Sequence, residues 1–202
     1  MRINEIILNP SQNDYPASYE YHFRNVIDQH PLPLTPDYEF RAAMDNSEFH
    51  MGIWHKDTIV SYTGMHQESF GWQVDKITTD MAYRSKGFIR YSIEYAAKKY
   101  GKIYSDYHQT SEAAATWKAL IKYRNTNLYY LFDTLTKDMT LINYDHNSNC
   151  YVPDPWDDTD QYIICAVHDP KRHAINEQRL KFNLLKNRNH PMIGDHFTEL
   201  NP

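Results

Sequence analysis

Cysteine is scarce in this chain: there are two, Cys150 and Cys165, among 202 residues. No CxxC pair or Cys/His ligand spacing accompanies them, so neither a disulfide framework nor a structural zinc site is expected, and no metal site is assigned. Long apolar runs are missing as well, since nothing approaches the ~20 residues a membrane-spanning helix needs. The N-terminus has no signal-peptide pattern, and the expected compartment is a reducing cytoplasm. Nor is there an excess of positive charge. A formal net charge of −5 gives no bulk attraction to a polyanion, which excludes a general nucleic-acid coat. The HExxH, GxSxG and P-loop patterns are all absent, which removes the chemistries those spacings support.

What is present suits one well-packed unit. With 41% hydrophobic residues, the chain is long enough for one core and short for two full domains. Seventeen tyrosines and eleven histidines favour amphipathic, partly polar surfaces. Clustered cations such as Lys98 and Lys99 read as the solvated face of a helix with one apolar stripe.

The most informative stretch runs from Trp72 to Tyr100. Trp72, Val74, Lys76 and Thr78 alternate with Gln73, Asp75, Ile77 and Thr79, the period of a strand. Ile89, Ser92, Ile93, Ala96, Ala97 and Tyr100 then recur at helical spacing. Arg84, Lys86 and Gly87 lie between the two elements. A helix start presents backbone N–H groups without intrahelical partners and the positive end of the macrodipole, so this order of elements suits a phosphate group.

Ahead of this junction, Tyr19, Phe23, Val26 and Ile27 share a helical face. Thr35-Pro36-Asp37 carries the signature of a second helix start. Phe49–His55 and Ile59–Met65 read as strands around the turn Lys56-Asp57. Lys102–Tyr107 reads as another strand, followed by a helix bearing Ala113, Ala114, Trp117, Leu120 and Ile121.

The motif Tyr83-Arg84-x-x-Gly87 and this order of elements resemble the GNAT superfamily of N-acetyltransferases, whose junction has the form V-x-P-x-Y-R-x-x-G-x-G/A. The resemblance runs from about residue 2 to about residue 123. Thr79, Met81 and Ile89 depart from the pattern at its apolar, proline and second small positions. It implies an α/β (α+β) fold with a GNAT-like mixed central sheet flanked by helices, and acetyl-CoA as cosubstrate for acetyl transfer to an amine acceptor. The backbone of Ile77, Thr78 and Thr79 would pair with the pantetheine arm. The segment Arg84, Ser85, Lys86, Gly87, Phe88, Ile89 and Arg90 would receive the pyrophosphate.

Catalytic candidates are less sharply defined. Asp75 matches the carboxylate that family members often place on this strand, with Glu68 second, and His66 and His50 are further candidates because an imidazole is the side chain suited to proton transfer near neutral pH. Asp106 and Tyr107 stand where the next strand leads into a helix; on a continuing strand they take opposite faces, so one of the two looks into the expected cleft. The resemblance places Trp117 where the family has a tyrosine that protonates the leaving thiolate, and an indole N–H cannot do this. Tyr123, Tyr107, Tyr104 or water must then serve, or the protein is a non-catalytic or virion-associated binder that has lost turnover. The run Ser105-Asp106-Tyr107-His108-Gln109-Thr110 also resembles small phage-encoded members of the superfamily.

The remainder is expected to form a core over residues 1–135 with a C-terminal extension over 136–202. Asn127–Thr134 and Met139–Tyr144 read as a hairpin closing the sheet, and residues 145–160 as a loop. Asp154–Asp160 reads as a rigid acidic loop. An extra buried strand at Tyr162–Val167 and a helix at His173–Arg188 follow, with a trailing end suited to a homodimer or protein partner.

Overall fold

The computed structural model describes residues 15–33, 35–45, 47–123, 126–156, 161–172 and 174–175. Strands β1 (Val26–Leu32), β2 (Thr35–Asp45), β3 (Glu48–His55), β4 (Thr58–Glu68) and β5 (Gly71–Thr79) form an antiparallel meander. Helix α1 (Phe88–Tyr100) crosses to β6 (Lys102–Tyr104), and helix α2 (Ser111–Tyr123) leads to β7 (Asn127–Asp133). β8 (Met139–Leu141), β9 (Asn143–Asp145), β10 (Cys150–Val152) and β11 (Tyr162–His168) follow. Among the described residues the main sheet has nine strands in the order β1-β2-β3-β4-β5-β6-β11-β7-β8, and β9 and β10 pair separately. Among the described strands only the β5–β6 contact is parallel, so the sheet is mixed, with helices against it.

The N-terminal helical pair does not form as expected. Pro16–Arg24 is a 3-10 segment, and the chain then enters β1 and β2. Tyr38, Phe40, Ala42 and Met44 all pack on the main core, a period of two that outweighs the capping signal at Thr35-Pro36-Asp37. Pro31 is tolerated because β1 is an edge strand, whose outer side needs no ladder donor. Pro36 lies outside the register with either neighbour.

One face of the sheet is covered by the helices. Phe88, Ile93, Ala96 and Ala97 of α1 and Trp117, Leu120 and Ile121 of α2 join Phe40, Phe49, Met51, Ile53 and Val74 in the main core. Each fully buried Leu, Ile, Val, Phe or Met side chain among them contributes roughly 1.5–3 kcal/mol. On the opposite face Phe23 of the 3-10 segment packs with Ala43, Trp54, Ile59 and Tyr62.

Two further expectations are corrected. β6 ends at Tyr104 rather than Tyr107. The expected hairpin forms between β7 and β8 at the sheet's edge but is shorter than Met139–Tyr144, since Asn143–Asp145 leaves as β9, and β11 is inserted between β6 and β7. A buried apolar run such as Tyr162–Val167 needs neighbours on both edges, and only an interior slot supplies them. The segment expected as loop contains the short pair β9–β10. The start of the resemblance near residue 2, the helix expected at His173–Arg188 and the trailing end fall mainly or wholly outside the described residues, as does part of the acidic loop at Asp154–Asp160. No described helix is long and apolar enough to cross a membrane.

Candidate functional site

The site begins with an extra residue in β5. β4 and β5 pair Gly64 with Lys76 but Met65 with Val74, so Asp75 is an extra residue in the ladder. Such a bulge shifts side-chain parity by one position. Trp72, Val74 and Ile77 consequently all pack on the main core, where the simple alternation read from the sequence put Ile77 on the face opposite Val74.

Asp75 projects to the other face, 3.6 Å from Nδ1 of His66, whose Nε2 lies 3.1 Å from Glu68. Gly64 makes room for it. A methyl group built on Gly64 would stand 2.8 Å from the Tyr62 hydroxyl and 3.1 Å from Oδ1 of Asp75. That hydroxyl is 2.8 Å from Nδ1 of His50, and its ring stacks on Tyr19. Burial, reinforced by nearby His22, pushes His50 down to about 4, so it is a neutral imidazole near pH 7.

β5 and β6 share one register pair, Gln73 with Tyr104. β6 then stops and the strands part. The cause lies at Ser105, where the Gln73 side-chain amide donates to the Ser105 carbonyl at 3.0 Å, and the Ser105 hydroxyl accepts from the Ile164 N–H at 3.0 Å. Side chains thus stand in for ladder bonds, and the chain is released toward α2. Asp106 follows on the far side of the gap. Burial raises its pKa, and the negative charge of Asp75 adds to the shift against backbone hydrogen bonds from Tyr107 and His108. The gap therefore has a carboxylate associated with each side. Tyr107 is exposed with its ring edge toward Phe70, whereas Tyr104 is fully buried.

At the other end of β5 the chain passes through a 3-10 turn, Met81–Tyr83, capped by the Asp80 carboxylate accepting from the Ala82 N–H. Nε of Arg84 donates to the Thr79 carbonyl at 3.3 Å, folding the guanidinium back over the strand end. Ser85 and Gly87 both take positive φ, and Gly87 caps α1 in the left-handed conformation. Nothing lies within 4 Å of where a Gly87 side chain would begin, so the surface over this helix start is open. Arg84, Ser85, Lys86 and Arg90 are exposed around it, and Lys86 leans toward the Tyr38 ring. Phe88 turns into the core, and Ile89 is half-buried against the same core. Ile77, Thr78 and Thr79 are half-buried along the strand leading there.

Trp117 is 1% exposed and meets Tyr129 edge-on in the main core. It is a packing residue and brings no acid to the gap. Gln73, Ser105 and Tyr62 were not legible as site residues. The tandem polar residues Ser105-Asp106 at a strand end were the one local signal, and the bulge has no sequence signature.

A mixed α/β sheet with helices packed on it, opened between β5 and β6, defines the class of architecture. No protein-family profile matches the chain, and no curated protein is similar to it. Among solved structures it is similar to a Bacteroides thetaiotaomicron protein assigned to the GNAT acetyltransferase family, at 11% identity and a TM-score of 0.33, covering 70% of this chain and 73% of that one. The ribosomal-protein-S18-alanine N-acetyltransferase of Escherichia coli gives 13% identity and a TM-score of 0.36, over 78% of this chain and 89% of that one. A Bacillus anthracis protein described as a streptothricin acetyltransferase, solved with acetyl coenzyme A, gives 12% and 0.34, over 63% and 65%. These solved neighbours are described as acetyltransferases, but similarity this loose carries no activity across to the present chain. The viral source suggested by Ser105–Thr110 gains no support from them.

Proposed function

We propose that the protein is an acyl-CoA-dependent N-acyltransferase that moves an acetyl group from acetyl-CoA to an amine. The observation that carries this reading is the parting of β5 and β6 beside a bulged carboxylate, on a strand that runs directly into an open, cationic helix start. A strand edge that loses its neighbour suits an extended, amide-bearing chain such as pantetheine, by the hydrogen bonding of an added strand. The helix start with Arg84 and Lys86 suits the diphosphate at that chain's far end, through backbone N–H groups and charge. The backbone of Ile77, Thr78 and Thr79 and the segment Arg84 to Arg90 therefore form the donor site in this reading.

The reaction needs a deprotonated amine. Asp75 takes its proton, directly or through water, and His66 behind it steadies the carboxylate; Asp106 is the second candidate. The nitrogen lone pair attacks the thioester carbonyl carbon, a C–N bond forms, the nitrogen gives its remaining extra proton to solvent, and the C–S bond breaks. The departing thiolate takes a proton from solvent or from the Tyr107 hydroxyl. Two free cysteines, one exposed and one buried, suit a reducing cytoplasm as the compartment.

Calorimetric titration with acetyl-CoA tests the donor site. Wild type is expected to bind, and an Arg84→Ala, Lys86→Ala double variant to bind at least tenfold more weakly. Absence of binding by the folded wild-type protein sinks the reading. Thiol release in the presence of a panel of amines then separates turnover from binding alone, the reading that Trp117 favours by leaving no hydroxyl at its position.

A further inference from the structure

On the face of the sheet opposite the helices, the 3-10 segment lays His22 over His50 of β3. The two imidazoles stack at 3.9 Å between centroids. Glu48, two residues before His50 on the same strand and hence on the same face, brings a carboxylate oxygen 3.6 Å from His50 Nε2. One ligand atom from each of His22, Glu48 and His50 lies within 4.8 Å of the other two.

Two features separate this cluster from an ordinary surface group of polar residues. His50 is 2% exposed, yet its Nε2 has no hydrogen-bond partner, and His22 Nδ1 is buried without one. A buried ring nitrogen left without a partner costs free energy, so such atoms call for a ligand. The other His50 nitrogen, Nδ1, is held by the Tyr62 hydroxyl at 2.8 Å. A ring nitrogen fixed by an outer partner orients the opposite nitrogen's lone pair, the arrangement found behind metal-bound histidines. Asp45 and Glu48 both act electrostatically on His22, adding the negative potential a cation requires.

We propose that His22, Glu48 and His50 bind a divalent transition metal, with zinc as the metal this donor set fits. Two imidazoles and one carboxylate form a three-ligand zinc set that leaves a fourth position to water. Ligand atoms around tetrahedral zinc stand about 3.4 Å apart, from metal–ligand bonds of about 2.0–2.2 Å. The Glu48–His50 pair is already near that spacing, and closure on the metal requires the His22 ring to turn out of its stack on His50 and its nitrogen to move in by at most about 1.4 Å. The bound ion ties the 3-10 segment to β3, with the His50 ring between it and the Tyr62 hydroxyl. The site does not depend on acyl transfer.

Metal-stripped protein titrated with Zn2+ by calorimetry, and with Co2+ by visible absorption, tests the site. Wild type is expected to bind one ion per chain, to melt at higher temperature with Zn2+ than in chelator, and to show the intense bands of tetrahedral cobalt. His22→Ala and Glu48→Gln, on side chains that are not in the deep core, are expected to bind at least tenfold more weakly while keeping the wild-type circular dichroism. His146→Ala, an exposed histidine elsewhere, is expected to match wild type. Equal affinity in wild type and both site variants, or no stoichiometric binding by wild type, overturns the proposal.

Discussion

Replacing Gly64 by alanine tests the bulge and the groups around it with one added carbon. The new methyl group stands 2.8 Å from the Tyr62 hydroxyl, 3.1 Å from the Asp75 carboxylate and 3.2 Å from Cε1 of Tyr62. Tyr62 has little room to withdraw. It is 3% exposed, its ring lies 4.1 Å from Tyr19, and its hydroxyl holds the buried His50 at 2.8 Å. Overpacking of this kind costs about 1–3 kcal/mol. If the hydroxyl moves away, a buried imidazole nitrogen loses its partner, for about 1–3 kcal/mol in place of some of the strain. The smaller unfolded-state entropy of alanine offsets about 0.4–1 kcal/mol. Net destabilisation of roughly 1–3 kcal/mol is expected from these three effects. Urea unfolding reads it as a lower midpoint at unchanged slope. A Tyr62→Phe background supplies the internal control: the oxygen nearest the new methyl group is gone, so Gly64→Ala should cost less there than in wild type. An alanine variant as stable as wild type, or equal costs in both backgrounds, would refute the packing described around Asp75.

Gly87 is needed for a different reason, because its surroundings are open but its φ is +78°. Gly87→Ala should destabilise by about 1–2 kcal/mol in thermal or urea melts, with Gly87→Asn costing less because asparagine tolerates the left-handed region; equal costs would count against that conformation. Asp106 has a raised pKa in the folded protein, chiefly through burial, so the unfolded chain binds fewer protons between the ordinary carboxylate value and the raised one. Stability from this group therefore falls as pH rises through that window. Asp106→Asn should accordingly be more stable than wild type at neutral pH, with the gain vanishing in acid; a gain that grows in acid would contradict the burial of this carboxyl. Cys150 is exposed, whereas burial pushes the Cys165 thiol up to about 12. Iodoacetamide at pH 8 should label one thiol quickly and the other only on unfolding, and rapid double labelling of native protein would show that β11 is not in the sheet's interior.

Local pattern made several elements readable. β5, the turn through Gly87 and α1 follow from a change of hydrophobic period within thirty residues. Hairpin β3–β4 follows from its polar turn, and α2 from its apolar stripe. The candidate site was legible where it depends on such neighbours in sequence, as with Arg84, Lys86, Gly87 and Asp75. β1 and β2 were misread because Thr35-Pro36-Asp37 is a strong local helix signal, while the burial of Phe40 and Ala42 is decided by α1, far along the chain. His50 was legible as a titratable candidate beside His66, whereas its pairing with His22 was not, because the two meet only in the fold.

By itself, the sequence determined the strand-turn-helix junction, the absence of a positive surplus and the segments able to form strands, because each depends on residues within a turn or two of one another. Tertiary structure decided that β11 enters between β6 and β7, that β5 bulges at Asp75, and that His22 lies on His50. Those outcomes depend on which strand edges and faces meet, and a one-residue change of register reverses every side chain on a strand.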